Sequence, residues 1–199
     1  MNKQVWYKEL ITKLDPSNVK IDEALHVHTM TRMGGMADLF VTPENEQEAA
    51  FIVDYTHKNN IPLLLLGNGS NMVVRDGGVR GVVLCLEKLD KIVIEGNHVY
   101  AESGAAIIDV SKAAAKESLT GLEFACGIPG TVGGAMAMNA GAYGGEIKDV
   151  ILQCTVLTPE GEKLVLSKEE LELEYRKSII TKEGYYVLSA EFELKPGNP

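Results

Sequence analysis

The run Ile61-Pro62-Leu63-Leu64-Leu65-Leu66, closed by Gly67, constrains the fold more than any other segment. A continuous apolar run of this length, bounded by breakers, is too short for a good helix and reads as a buried strand of a parallel sheet. Two parallel strands need a crossover, and the preceding residues supply one. Ala37 to Val41 has strand character. Thr42-Pro43 predicts a helix start, with Thr42 as N-cap and Pro43 at the first helical position. Ala49, Ile52 and Val53 form its predicted buried stripe, and Asn59-Asn60 ends it. Residues 37–66 therefore predict a β-α-β unit. Ahead of it, Trp6, Leu10 and Leu14 at i, i+4 and i+8 predict an amphipathic helix over 3–14, ended by Asp15-Pro16-Ser17.

After residue 76 the pattern changes. Gly81–Leu86, Lys91–Glu95 and Val99–Glu102 alternate with period two, and Gly96-Asn97 makes the last pair a hairpin. Met72-Val73-Val74 reads as a further strand. Ile107, Val110 and Ala114 mark a helix; residues 150–158 and 163–166 form a second hairpin around Pro159-Glu160-Gly161, and Tyr186–Leu194 is a final strand. The expected architecture is α+β in two lobes: residues 1–76 hold the N-terminal helix and a small β-α-β lobe, and residues 77–199 a larger antiparallel lobe.

A net charge of −9 over 199 residues argues against non-specific nucleic-acid binding. It leaves an anionic ligand open, because backbone N–H groups hold phosphates without net positive charge. Charges in the first ten residues break any signal-peptide core. The uncharged span from Phe124 to Gly145 carries seven glycines and is too glycine-rich for a bilayer helix, so no membrane insertion is expected. Cys85, Cys126 and Cys154 show no disulfide or zinc spacing and are expected to be reduced core thiols of a cytoplasmic protein. His26, His28, His57 and His98 show no metal-ligand spacing.

Two glycine-rich segments carry the chemistry. Gly67-Asn68-Gly69-Ser70-Asn71-Met72 follows the apolar strand; it suits either a nest for pyrophosphate or an ordinary tight turn. It lacks the Lys-Ser/Thr ending of a Walker loop and the third glycine of a dinucleotide fingerprint. The second segment is Gly127-Ile128-Pro129-Gly130-Thr131-Val132-Gly133-Gly134-Ala135, continuing through Asn139, Gly141, Ala142 and Tyr143. Eight of the twenty glycines fall between Gly121 and Gly145. Close approach of backbone to a flat or phosphorylated ligand explains that density, as does tight packing of a helix opening at Gly133-Gly134-Ala135. Arg176, in Tyr175-Arg176-Lys177-Ser178, reads on its own as a surface strand cation facing Glu172 or Glu174.

Taken in order, these motifs resemble those of the UDP-N-acetylenolpyruvoylglucosamine reductase (MurB) family of bacterial cell-wall synthesis, as do His28-Thr29 and Gly34-Gly35-Met36-Ala37-Asp38. The likeness runs from residue 25 to 195. It implies a vanillyl-alcohol-oxidase-type (PCMH-type) FAD-binding fold, non-covalent FAD, and NADPH as hydride donor to UDP-N-acetylglucosamine enolpyruvate. It further implies that Gly67 to Met72 bind the FAD pyrophosphate, and that Gly127, Ile128, Pro129, Gly130, Thr131, Gly133 and Gly134 line the flavin. Asn139, Gly141, Ala142 and Val187 join the cofactor site, while Tyr143, Tyr175 and Arg176 face substrate, Arg176 as the active-site arginine. The family's substrate-binding domain and its proton-donating serine have no counterpart in these residues, so the chain alone is expected to bind FAD without completing the reduction. A flavin-binding module without catalysis and a flavin oxidase are the alternatives, and the oligomeric state is left open.

Overall fold

The computed structural model describes residues 2–197; Met1, Asn198 and Pro199, at the outer bounds of the two expected lobes, lie outside the described residues. The chain forms two compact units, residues 1–88 with 159–161, and residues 89–158 with 162–199.

The first unit contains α1 (Lys3–Leu10), β1 (Val19–Ala24), β2 (Met36–Val41), α2 (Glu46–Lys58), β3 (Leu63–Leu66) and β4 (Val79–Cys85). Its sheet has the order β1-β2-β4-β3, antiparallel between β1 and β2 and parallel elsewhere. The β-α-β unit is present, with β4 inserted between β2 and β3. That insertion moves the lobe boundary from the expected 76/77 to 88/89, because β4 pairs with β2 and β3 of the first unit. It also leaves β3 at a sheet edge, so of its four leucines only Leu66 is fully buried. Phe40, Leu66, Val83 and Cys85 pack a core with Leu25, Ala37 and Val74.

Two local expectations differ. Helix α2 starts at Glu46, capped by Asn45, whose side chain accepts the Glu48 N–H at 2.9 Å. Thr42 instead follows the end of β2, its N–H donating to the Asn18 carbonyl at 2.9 Å. Helix α1 ends at Leu10, after which hydrogen-bonded turns carry the chain to Leu14; the buried stripe Trp6, Leu10, Leu14 is as expected.

The second unit contains β5 (Ile92–Glu95), β6 (His98–Glu102), α3 (Ile107–Lys116), β7 (Leu119–Thr120), α4 (Val132–Ala137), β8 (Gly141–Ala142), β9 (Gly145–Glu146), α5 (Ile147–Val150), β10 (Ile151–Leu157), β11 (Lys163–Ser167), α6 (Ile179–Glu183), β12 (Tyr186–Glu193) and β13 (Lys195–Pro196). Five strands form an antiparallel sheet in the order β11-β10-β12-β6-β5. Both expected hairpins, β5–β6 and β10–β11, are present, and β12 joins them by pairing with one strand of each. Val99, Ala101, Val156, Val187, Ala190 and Phe192 of this sheet pack in one core with Ile107, Val110, Val132, Ala135 and Met136 of the helices.

Candidate functional site

Each unit holds one of the two glycine-rich segments. In the first, β3 delivers the chain into Gly67–Asn71. Gly69 sits at φ +64°, and a Cβ there would lie 2.5 Å from the His28 carbonyl oxygen and 2.7 Å from Thr29 Cα. Both the left-handed backbone and the close approach require glycine. The backing segment is itself fixed: the His28 ring stacks on Phe40 at 4.1 Å and hydrogen-bonds Glu23 at 2.8 Å. Met30 N–H donates to the Gly69 carbonyl at 3.2 Å. Among the described residues, the backbone N–H groups of Asn68, Gly69, Ser70 and Asn71 donate to no protein acceptor. Consecutive unspent donors at a strand end form an anion-binding concavity. Residues 72–75 are not a strand. They run alongside Gly34-Gly35, with Gly35 N–H bonded to the Arg75 carbonyl at 3.0 Å and Val74 against Gly34.

In the second unit, Thr131 caps α4, its hydroxyl accepting the Gly134 N–H at 3.3 Å. The Gly130 carbonyl accepts Ile107 N–H at 3.0 Å, and Val132 N–H donates to Ala105 at 2.8 Å, pinning the glycine segment beside the start of α3. The glycines here divide into two kinds. A Cβ on Gly133 would meet the Ser103 hydroxyl at 2.2 Å, so packing explains that glycine. A Cβ on Gly127 would meet nothing within 4 Å, and one on Gly134 only Thr131 Oγ1 at 3.6 Å. Protein packing does not require these two, which leaves room for a flat ligand against bare backbone. Ile128 and Gly130 are half-buried and Pro129 is exposed.

The chain next forms the β8–β9 hairpin, whose loop is Tyr143-Gly144 with φ +53° and +87°, the hand that suits a two-residue hairpin turn. Gly141 belongs to this ladder, since a Cβ there would lie 2.7 Å from the Gly145 carbonyl, and Ala142 pairs with Gly145. Tyr143 at the tip is 94% exposed. A second tight turn, Glu174–Lys177, is closed by reciprocal backbone bonds of 3.1 Å. Its tip carries Tyr175, 84% exposed, and Arg176 at φ +55°. Arg176 is thus at a turn tip, not on a strand. Among the described residues it forms no ion pair; Glu172 pairs with Lys182 instead.

The structure separates three residues from the expected grouping. Val187 is fully buried in the sheet core, opposite Val156. Asn139 is buried with its side-chain amide committed to Glu146, Glu174 and Lys148. Cys126 is exposed, unlike Cys85 and Cys154, and lies on the short helical turn Glu123–Gly127. Burial pushes the thiols of Cys85 and Cys154 up to about 11 and about 12. Sequence reasoning missed Ser103 and Glu146. Glu146 carried one signal, as the acidic residue that ends the uncharged glycine-rich span. Among the described residues there is no metal-binding cluster and no helix long and apolar enough to cross a membrane.

The chain is 56% identical over 181 residues to the UDP-N-acetylenolpyruvoylglucosamine reductase of Exiguobacterium sibiricum, a match covering 91% of this chain and 60% of that protein. It therefore spans less than two thirds of that relative's length. It superposes on the crystal structure of UDP-N-acetylenolpyruvylglucosamine reductase (MurB) from Thermus caldophilus with a TM-score of 0.76 and 31% identity, over 90% of this chain and 62% of that one. A TM-score of 0.73 to p-cresol methylhydroxylase, at 15% identity over 98% of this chain and 44% of that one, shows the shared PCMH-type fold. A family model described as an FAD binding domain matches residues 37–167, more than half of the chain, and the chain belongs to that FAD-binding family.

Proposed function

We propose that this chain is the flavin-carrying part of a cytoplasmic reductase of peptidoglycan precursor synthesis, which uses NADPH to convert UDP-N-acetylglucosamine enolpyruvate to UDP-N-acetylmuramate. The observation that carries the reading is the 56% identity to a reductase of that name, in a chain whose glycine segments fit the cofactor. The unspent N–H groups of Asn68 to Asn71 suit the pyrophosphate, and the open positions at Gly127 and Gly134 suit the flavin ring.

Bound there, FAD supplies two-electron hydride transfer. This chain's residues do the rest of the work available to them. The Gly67–Met72 turn neutralises phosphate charge with backbone dipoles, which costs no reorganisation because His28 and Thr29 already fix it. Arg176 presents a planar, always-charged fork to the enolpyruvyl carboxylate, where negative charge develops as hydride adds. Tyr143 and Tyr175 orient the substrate from exposed positions. No side chain of this set is assigned the proton delivery, which is expected from the part of the relatives outside the match.

The test has two arms. The 199-residue chain should take up FAD, and Gly69→Val should abolish uptake, since its Cβ has no room beside His28. Uptake by that variant with unchanged affinity would refute the pyrophosphate assignment. In an anaerobic assay with FAD, NADPH and UDP-N-acetylglucosamine enolpyruvate, the chain alone should give no lactyl product. Robust product would place the general acid within these residues.

A further inference from the structure

We propose that Asn139 is a positioning residue, whose buried amide locks the Tyr143 hairpin and the Tyr175–Arg176 turn together so that Arg176 is presented in one fixed place. The proposal rests on the reading of Arg176 as the substrate-facing cation, and deepens it.

Asn139 is 3% exposed and held at φ +42°, a conformation that asparagine tolerates better than most residues. Both polar atoms of its amide are engaged. Oδ1 accepts the Lys148 N–H at 2.9 Å; Nδ2 donates to Glu146 Oε2 at 2.7 Å and to the Glu174 carbonyl at 3.2 Å. Glu146 and Lys148 flank the start of α5, at the end of the β8–β9 hairpin, and the Glu146 carboxylate also pairs with the Lys148 ammonium. Glu174 is the first residue of the turn that carries Arg176. One side chain therefore ties the end of the hairpin to a turn that begins 35 positions beyond Asn139 in sequence. The turn is tied again just past its other end, where the Ser178 hydroxyl donates to the Ala137 carbonyl at 2.7 Å.

The backbone conformations show why such a lock is needed. Tyr143, Glu172 and Arg176 all hold positive φ without being glycine. Each such residue costs energy that surrounding structure must offset, and these conformations persist where the framework over-determines them. The two ties at Asn139 and Ser178 are the framework for Arg176. Because no polar atom of the amide is left over, its contribution to a ligand site passes through the residues it holds.

The discriminating variant is Asn139→Gly, which keeps the positive φ and deletes the amide. The first measurement is limited trypsin digestion of the 199-residue chain, mapped by mass spectrometry. Cleavage after Arg176 requires the turn to open, and removing one donor each from the Glu174 carbonyl and the Glu146 carboxylate should raise its rate by about tenfold or more. Cleavage after Lys116 in α3 should not change. Glu146→Gln keeps an acceptor oxygen and should cleave at the wild-type rate. A folded Asn139→Gly chain with wild-type protection at Arg176 would overturn the proposal. Should that variant fail to fold, Glu146→Ala removes one bond from the partner's side, and wild-type protection in it overturns the proposal equally.

The second measurement uses a chain spanning the relatives' whole length. Asn139→Gly should lower kcat with little change in KM, and Arg176→Lys should add little on top of it, because both act through one group. Fully additive losses would overturn the positioning role. An Arg176→Lys enzyme with normal turnover would instead refute the role of Arg176 itself, while the digestion result still decides whether Asn139 holds the turn.

Discussion

Replacing Arg176 by glycine separates a functional arginine from a structural one. Arg176 occupies the third position of the Glu174–Lys177 turn at φ +55°, a place where glycine or asparagine is usual. A left-handed conformation costs an L-residue about 1–2 kcal/mol. Glycine removes that strain but brings roughly 0.5–1 kcal/mol of extra chain entropy. Among the described residues Arg176 forms no ion pair that would be lost. The difference leaves Arg176→Gly between neutral and about 1.5 kcal/mol more stable. At roughly 2–4 °C per kcal/mol for a chain of this size, Tm should hold or rise by up to about 6 °C. Turnover should move the other way. Loss of a donor to developing negative charge costs about 10²–10³ in kcat. Calorimetry on the 199-residue chain and turnover in a chain of the relatives' whole length measure the two sides. A fall in Tm of more than about 3 °C would show that the arginine holds the fold. Retained turnover would show that it holds nothing in the substrate.

The neighbouring glycines should part company. Gly133→Ala pushes against the Ser103 hydroxyl and should lower stability by about 1 kcal/mol. Gly134→Ala has room, should gain up to about 1 kcal/mol of helix propensity, and should weaken FAD binding in a titration. Loss of FAD affinity in the first but not the second would reverse the assignment of the flavin-facing glycine. A thiol reagent should modify Cys126 in the native chain and reach Cys85 and Cys154 only on unfolding; rapid labelling of all three would contradict their burial. Because the buried thiols stay protonated to about 11 and about 12 against an ordinary 9.0, the folded state holds protons that the unfolded chain has lost. This contribution should be intact below pH 9.0 and decline as pH rises through those values, read as a falling urea midpoint.

What was legible in the sequence follows from how far each signal reaches along the chain. The hairpins at Gly96-Asn97 and Pro159–Gly161, the stripe Trp6-Leu10-Leu14 and the β-α-β unit all depend on neighbours a few residues apart, and all are present. The misplaced features depend on distant partners. Thr42 has N-cap chemistry, but Asn18 claims it. Met72-Val73-Val74 has strand composition, but its neighbours are the glycines at 34 and 35, which offer no strand. The insertion of β4 between β2 and β3 is a pairing choice that apolar character alone does not announce. In the site, the glycine clusters were legible as clusters. Which glycines packing requires, and which face open space, was visible only once Ser103 stood against Gly133. Likewise Asn139 was singled out by its motif, while its partners, seven and 35 positions away, were not.

The position of β12 has a consequence for biogenesis. In the order β11-β10-β12-β6-β5 the central strand is the one synthesised last. Its ladder to β6 joins residues such as Phe192 and Val99, so the sheet cannot close while a ribosome still holds residues 186–193. Until then the nascent chain offers two separate hairpins, each marginal in water with an unsatisfied edge. Closure then pairs strands far apart in sequence, the slow class of folding event. The interval before β12 emerges is when this chain most needs a chaperone, and a truncation before Tyr186 would leave both hairpins permanently unpaired.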